Sequence, residues 1–128
     1  MSQRHFFISY STVEAQEFAY KLHDALEGDT PKYEAWLDKH DLRPSEDWDT
    51  QIDHALRDCE AVLFVMTPDS VMDNSVCKIE WARALSYKKA VIPILLQESI
   101  APFRLTNRQY IDFSKDFDKG MAQLRRYL

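Results

Sequence analysis

Short apolar runs alternate along the chain with stretches whose apolar residues recur every three or four positions. The two periods predict different elements. His5-Phe6-Phe7-Ile8-Ser9 is a compact run of aromatic and branched residues and predicts a buried strand. From Glu14 the period changes. Ala15, Phe18, Ala19, Leu22, Ala25 and Leu26 share one helical face, while Glu14, Glu17, Lys21 and Asp24 fall away from it. Gly28 ends this helix of residues 14–27, and Pro31 prevents its resumption. Tyr33-Glu34-Ala35-Trp36-Leu37 is a second short strand, which empties into a long polar loop containing Pro44. Trp48, Ile52, Ala55, Leu56 and Cys59 then mark a second helix.

Ala61-Val62-Leu63-Phe64-Val65-Met66 is apolar throughout, as a central parallel strand should be, and stops at Thr67-Pro68-Asp69-Ser70. Asn74 or Ser75 can cap a third helix, whose packed side is expected near Val76, Ile79, Ala82, Arg83 and Leu85. The fourth strand spans residues 90–96. Pro93 inside it removes a ladder donor, which favours an outer position or a bulge. Residues 109–113 make a weaker fifth strand, and residues 115–127 a last helix with Phe117, Met121, Leu124 and Leu128 as its apolar positions. Gly120 weakens that helix locally by about 1 kcal/mol relative to alanine.

Strands alternating with helices predict one α/β domain over residues 1–128, with a mostly parallel sheet covered on both faces. Right-handed crossovers put the strand-to-helix loops at one edge, where open α/β sheets bind ligands. Ser9, Asp38, Thr67 and the loop before Glu80 should therefore converge.

Composition narrows the chemistry. The 128 residues are enough for one sizeable core. A net charge of −5 with interspersed signs offers no basic stripe for nucleic acid. With glycine only at 28 and 120, neither a P-loop nor a dinucleotide fingerprint can be built. Cys59, Cys77 and the four histidines show no metal-ligand spacing, so no metal site is expected. The cysteine usage is read most simply as a reduced, intracellular setting. Without a leader or an apolar run of membrane-spanning length, a soluble cytoplasmic protein with no membrane partner is expected. Magnesium-dependent phosphoryl transfer lacks its two-acid cluster after the first strand, which argues against a receiver-like domain.

Three motifs, taken in order, resemble those of a TIR domain. Phe7-Ile8-Ser9-Tyr10-Ser11 resembles the family's first box, and Asp41-Leu42-Arg43-Pro44-Ser45-Glu46-Asp47-Trp48 the bacterial style of its second. Cys77-Lys78-Ile79-Glu80 resembles the cysteine-x-x-glutamate element of the third helix. Each box alone is weak, but the ordered set spans essentially the whole chain. The resemblance implies a flavodoxin-like three-layer sandwich with a five-stranded parallel sheet. It also implies one of two roles: an enzyme that cleaves NAD at its nicotinamide–ribose bond, or an adaptor that works through TIR–TIR self-association. Bacterial members of the first kind frequently serve in antiphage defence, fused to or partnered with a sensor or effector module. NAD is then a substrate, and no separate cofactor is implied.

The residue matching the catalytic glutamate of such enzymes is Glu80. Nicotinamide is already a good leaving group and needs no general acid, so one carboxylate that stabilises the developing ribosyl cation can suffice. The bland reading is an exposed glutamate favoured by the helix N-terminus at about 0.3–1 kcal/mol. Enzymatic relatives often carry tryptophan four residues before this glutamate, where this chain has Val76. A stacking surface for the substrate then falls to another aromatic, Phe7 or Trp48, although Trp48 also suits a core residue opening the second helix. Ser9, Tyr10 and Ser11 can line the pocket or end the strand, with Ser11 or Thr12 capping the first helix. Asp38 can contact ribose or simply close the second strand. Arg43 can meet phosphate or stay solvated. His40, Arg43 and Ser45 lie on a loop that, in the family, covers substrate or contacts a neighbouring subunit. Cys77 is better explained as a small buried helix residue than as a nucleophile.

Overall fold

The computed structural model of the chain describes residues 5–28, 33–37 and 47–128, with the backbone alone at Trp48. Five strands, β1 (His5–Ser9), β2 (Glu34–Leu37), β3 (Ala61–Met66), β4 (Ala90–Leu95) and β5 (Ile111–Asp112), form one sheet in the order β2-β1-β3-β4-β5. Every pair is parallel. Among the described residues, four helices, α1 (Gln16–Glu27), α2 (Trp48–Asp58), α3 (Val76–Ser86) and α4 (Phe117–Tyr127), alternate with the strands, and a 3-10 turn (Phe103–Leu105) precedes β5. This is the flavodoxin-like arrangement, whose strand order reverses between β1 and β3.

Strand alternation sorts β1 into two layers. Phe6, Ile8 and Tyr10 pack with α1 and α4, alongside Leu22, Leu26, Leu63, Val65 and Leu124. Phe7 packs on the other face with Ile52 and Leu56 of α2, Phe64 and Met66 of β3, and Trp81 of α3. β3 is buried along its whole length, because helices cover both of its faces.

Two local features differ from expectation. β4 is interior by strand order, yet β5 pairs only with Ile94 and Leu95, so at Pro93 the ladder runs to β3 alone. Gly120 is more than a weak point in α4. A Cβ there would come within 2.5 Å of the Phe113 ring, so the absent side chain lets α4 settle onto that ring.

The phase of α3 also needs correction. Its sheet-facing stripe is Cys77, Glu80, Trp81 and Ala84, at i, i+3, i+4 and i+7. Val76 and Ile79, expected on the packed side, are 54% and 58% exposed, while Ala82 and Leu85 are partly buried at its margin. The Ser75 hydroxyl accepts from the Cys77 N–H at 3.1 Å, which makes Ser75 rather than Asn74 the cap. No helix among the described residues is long and apolar enough to cross a membrane.

Candidate functional site

The C-terminal ends of β1 and β3 border the crevice where the strand order reverses, the usual ligand position in open α/β sheets. Ser9 is the last residue of β1, fully buried and in register with Phe64 of β3. By alternation it faces the same side as Phe7, toward α3. Glu80 lies one turn into α3, on the stripe pressed against the sheet. Its side chain meets Ser9 there: the Ser9 hydroxyl donates to Glu80 Oε1 at 2.6 Å.

Glu80 is only 2% exposed, so it is an enclosed carboxylate and not the solvated surface glutamate of the bland reading. Taking an ionised carboxylate out of water costs several kcal/mol unless hydrogen bonds replace the lost hydration. The hydrogen bond from the Ser9 hydroxyl is one such replacement. Chemically, an enclosed, oriented carboxylate can stabilise a positive charge developing beside it far better than a solvated one can.

The neighbouring loops are tied together at the same edge. Ser11 donates to Asp69 Oδ2 at 2.5 Å and accepts from the Val13 N–H at 3.3 Å. Asp69 N–H in turn donates to Glu14 Oε1 at 2.6 Å, so the β1–α1 and β3–α3 loops are bridged by two hydrogen bonds. After β3, the Ser70 hydroxyl accepts from Thr67 N–H at 2.8 Å and donates to the Val65 carbonyl at 2.7 Å, which stops the strand. The expectation that Ser11 or Thr12 caps α1 is therefore not met. The helix begins after Ala15 without a side-chain cap, and the Ser11 hydroxyl serves Asp69 instead.

Of the other expected site residues, the two whose side chains are described, Phe7 and Tyr10, are both buried. Phe7 is fully buried and stacked on Trp36 with ring centroids 5.0 Å apart, so its ring offers no face to a ligand. Tyr10 is buried in the opposite layer, with α1 and α4. Trp48 is the first residue of α2. Asp38, His40, Arg43 and Ser45 lie outside the described residues. Trp81, next to Glu80 in sequence, packs against Phe64 and carries the Arg104 guanidinium 5.6 Å from its ring. A cleft of about 130 Å³ between the β3–α3 loop and the 3-10 turn is lined by Met72, Lys78, Trp81, Phe103 and Arg104, and Glu80 is not in its wall.

Both cysteines are buried and unbridged. Burial raises the Cys59 thiol to about 11, which suits a packing residue. Among the described residues no three His, Cys, Asp or Glu side chains are grouped to hold a metal. Asp69 and Glu14 are parts of the edge that sequence reasoning missed. Their only signal is position, just after the apolar ends of β3 and β1.

Comparisons with known proteins agree on the fold. A family model described as TIR domain matches residues 6–125. No curated protein matches the chain in sequence. Among solved structures, the chain is similar to the TIR domain of the Toll-related receptor TRR-2 from Hydra magnipapillata, with 23% identity, 95% of each chain covered and a TM-score of 0.80. It is also similar to the TIR domains of the activated Roq1 resistosome, which recognises the pathogen effector XopQ, at 11% identity, 98% and 100% coverage and a TM-score of 0.76. A prokaryotic SEFIR domain aligns at 21% identity over 97% of each chain, with a TM-score of 0.72.

Proposed function

The chain belongs to the TIR domain family, and from that premise we propose that it cleaves NAD at the nicotinamide–ribose bond when copies of the domain assemble. Water replaces nicotinamide at the ribose carbon and loses a proton, giving ADP-ribose. An internal nucleophile of the same molecule, in place of water, gives a cyclic isomer. The observation that carries this reading is Glu80, 2% exposed and hydrogen-bonded to Ser9 at the carboxyl end of β1.

The physical argument is one of charge. As the glycosidic bond lengthens, nicotinamide leaves neutral and the ribose becomes cationic. A carboxylate in a site of low dielectric stabilises that cation more than it stabilises the ground state, which is what lowers the barrier. Assembly dependence follows from the enclosure of Glu80. A neighbouring subunit that reshapes the edge admits the substrate, and turnover then acts as the output of a signalling event, as in antiphage defence.

The test is nicotinamide release from NAD at high protein concentration, for wild type, Glu80→Ala and Glu80→Gln. Assembly is followed by light scattering and folding by circular dichroism. Release from wild type that is lost in the folded variants supports the reading. Equal release from all three removes Glu80 from the mechanism. A second reading, a TIR–TIR interaction module without turnover, is favoured by the exposed apolar side chains of Met72, Val76 and Ile79 on and before α3. An assembled wild type that releases no nicotinamide would select it.

A further inference from the structure

We infer that Ser9 is a positioning residue for Glu80: its buried hydroxyl, held at the end of β1, fixes the direction in which the carboxylate meets the ribosyl cation, and it does not bind the substrate itself. The inference rests on the NAD-cleaving reading above.

Three hydroxyls follow one another at the end of β1, and the structure gives them three different surroundings. Tyr10 turns into the α1/α4 layer. Ser11 gives its proton to Asp69 at 2.5 Å. Ser9 alone faces α3, and it gives its proton to Glu80 Oε1 at 2.6 Å. A serine hydroxyl carries one proton. While that proton lies on Oε1, Ser9 cannot donate to a sugar hydroxyl or a phosphate.

The two partners also differ in rigidity. Ser9 sits on a strand paired on both sides, in register with Phe64 on β3, while β2 runs along the other edge of β1. Glu80 reaches it through a longer side chain whose terminal carboxylate torsion is intrinsically broad. A short bond to a donor set on a paired strand narrows that torsion and fixes where Oε2 points. Sites mounted on strands hold such geometry more tightly than sites on loops. Position matters because a displacement of about 1 Å can cost roughly a hundredfold in rate.

The test compares steady-state NAD cleavage by the assembled wild type, Ser9→Ala, Glu80→Asp and the double variant. Ser9→Ala is expected to lose about tenfold to a hundredfold in kcat, with KM unchanged because no substrate contact is removed. In Glu80→Asp the shortened carboxylate no longer reaches Ser9, so adding Ser9→Ala should change nothing further. An unchanged kcat in Ser9→Ala overturns the proposal. So does a raised KM at constant kcat, which would make Ser9 a substrate contact. An equal loss in the Glu80→Asp background overturns it too, because the two residues would then act independently. Absence of turnover in the assembled wild type defeats the NAD-cleaving reading, and the positioning role with it. That outcome is distinct because the wild-type arm itself is silent. Should Ser9→Ala unfold, Ser9→Cys retains a weaker donor. Its kcat is then expected to fall below wild type at constant KM, and a wild-type kcat would overturn the role.

Discussion

Replacing Gly120 by alanine sets helix propensity against packing, and the geometry decides which wins. Gly120 lies inside α4, where its N–H donates to the Asp116 carbonyl at 3.1 Å. Propensity alone makes Gly120→Ala stabilising by about 1 kcal/mol. The new Cβ would, however, lie 2.5 Å from Phe113 Cδ1, 2.6 Å from Cγ and 2.8 Å from Cε1. Cγ is one bond from the Phe113 Cβ, so a flip of the ring does not clear it. The ring is also hemmed in, edge-on to Phe18 at 5.2 Å and to Phe117 at 5.5 Å between centroids. Forcing a methyl into such a site costs about 1–3 kcal/mol, and disturbing each aromatic pair about 0.5–1.5 kcal/mol more. With the propensity gain subtracted, the net expectation is a destabilisation of about 1–5 kcal/mol, a fall of at least several degrees in Tm for a chain of this size. Urea denaturation of wild type and Gly120→Ala measures it directly. In a Phe113→Leu background the same alanine should be neutral or stabilising, because the obstructing ring is gone. Gly120 and Phe113 belong to the α1/α4 layer, so any NAD cleavage per folded molecule should not change. A Gly120→Ala protein more stable than wild type would refute the reasoning, because the ring could then not be where the packing argument needs it.

Asp53 accepts a hydrogen bond from the Tyr87 hydroxyl and pairs with Arg57 at 3.0 Å and Arg83 at 3.6 Å, joining α2 to α3. The Tyr87 hydrogen bond, the largest influence, holds its carboxyl below the usual value; burial, the next largest, opposes it, and Arg57, Arg83 and His54 add to the lowering. A depressed folded pKa means that its contribution is present above the unfolded value near 4 and is lost as pH falls through the folded value. Asp53→Asn should therefore cost about 1 kcal/mol at pH 7, and the gap from wild type should close in denaturation curves taken in acid. Cys59, its thiol raised to about 11 by burial, should resist iodoacetamide at pH 7.5 in the native protein and react after unfolding, as mass spectrometry would show. Val76→Ser with Ile79→Ser should shift the melting of the monomer by no more than about 0.5 kcal/mol, since both side chains are exposed. If the α3 face mediates association, the same pair should weaken self-assembly in sedimentation experiments. Unchanged assembly would place that contact elsewhere.

Much of this architecture was legible in the chain. The bounds of β1 and β3 coincide with their apolar runs, and Ser75, one of two expected caps, starts α3. A run of buried β-branched and aromatic residues has few alternatives to a strand, and the order of elements then restricts the sheet to very few topologies. The ends of β2 and β5 extend less far than their apolar patterns, because pairing in a sheet is decided by the neighbouring strand. α3 shows where pattern reading stops. Its apolar residues lie almost all round the helix, so periodicity could not tell the buried Cys77, Trp81 and Ala84 from the exposed Val76 and Ile79. No hydrophobic pattern would place a glutamate in the buried stripe. Nor does anything local to Gly120 say that a phenyl ring occupies the space of its missing side chain. Ser9 and Glu80 are 71 residues apart in the chain and 2.6 Å apart in the fold. Each side chain's direction comes from its own element's period, but their meeting depends on how α3 docks across β1 and β3. Docking is a property of packed surfaces, which only the tertiary structure contains.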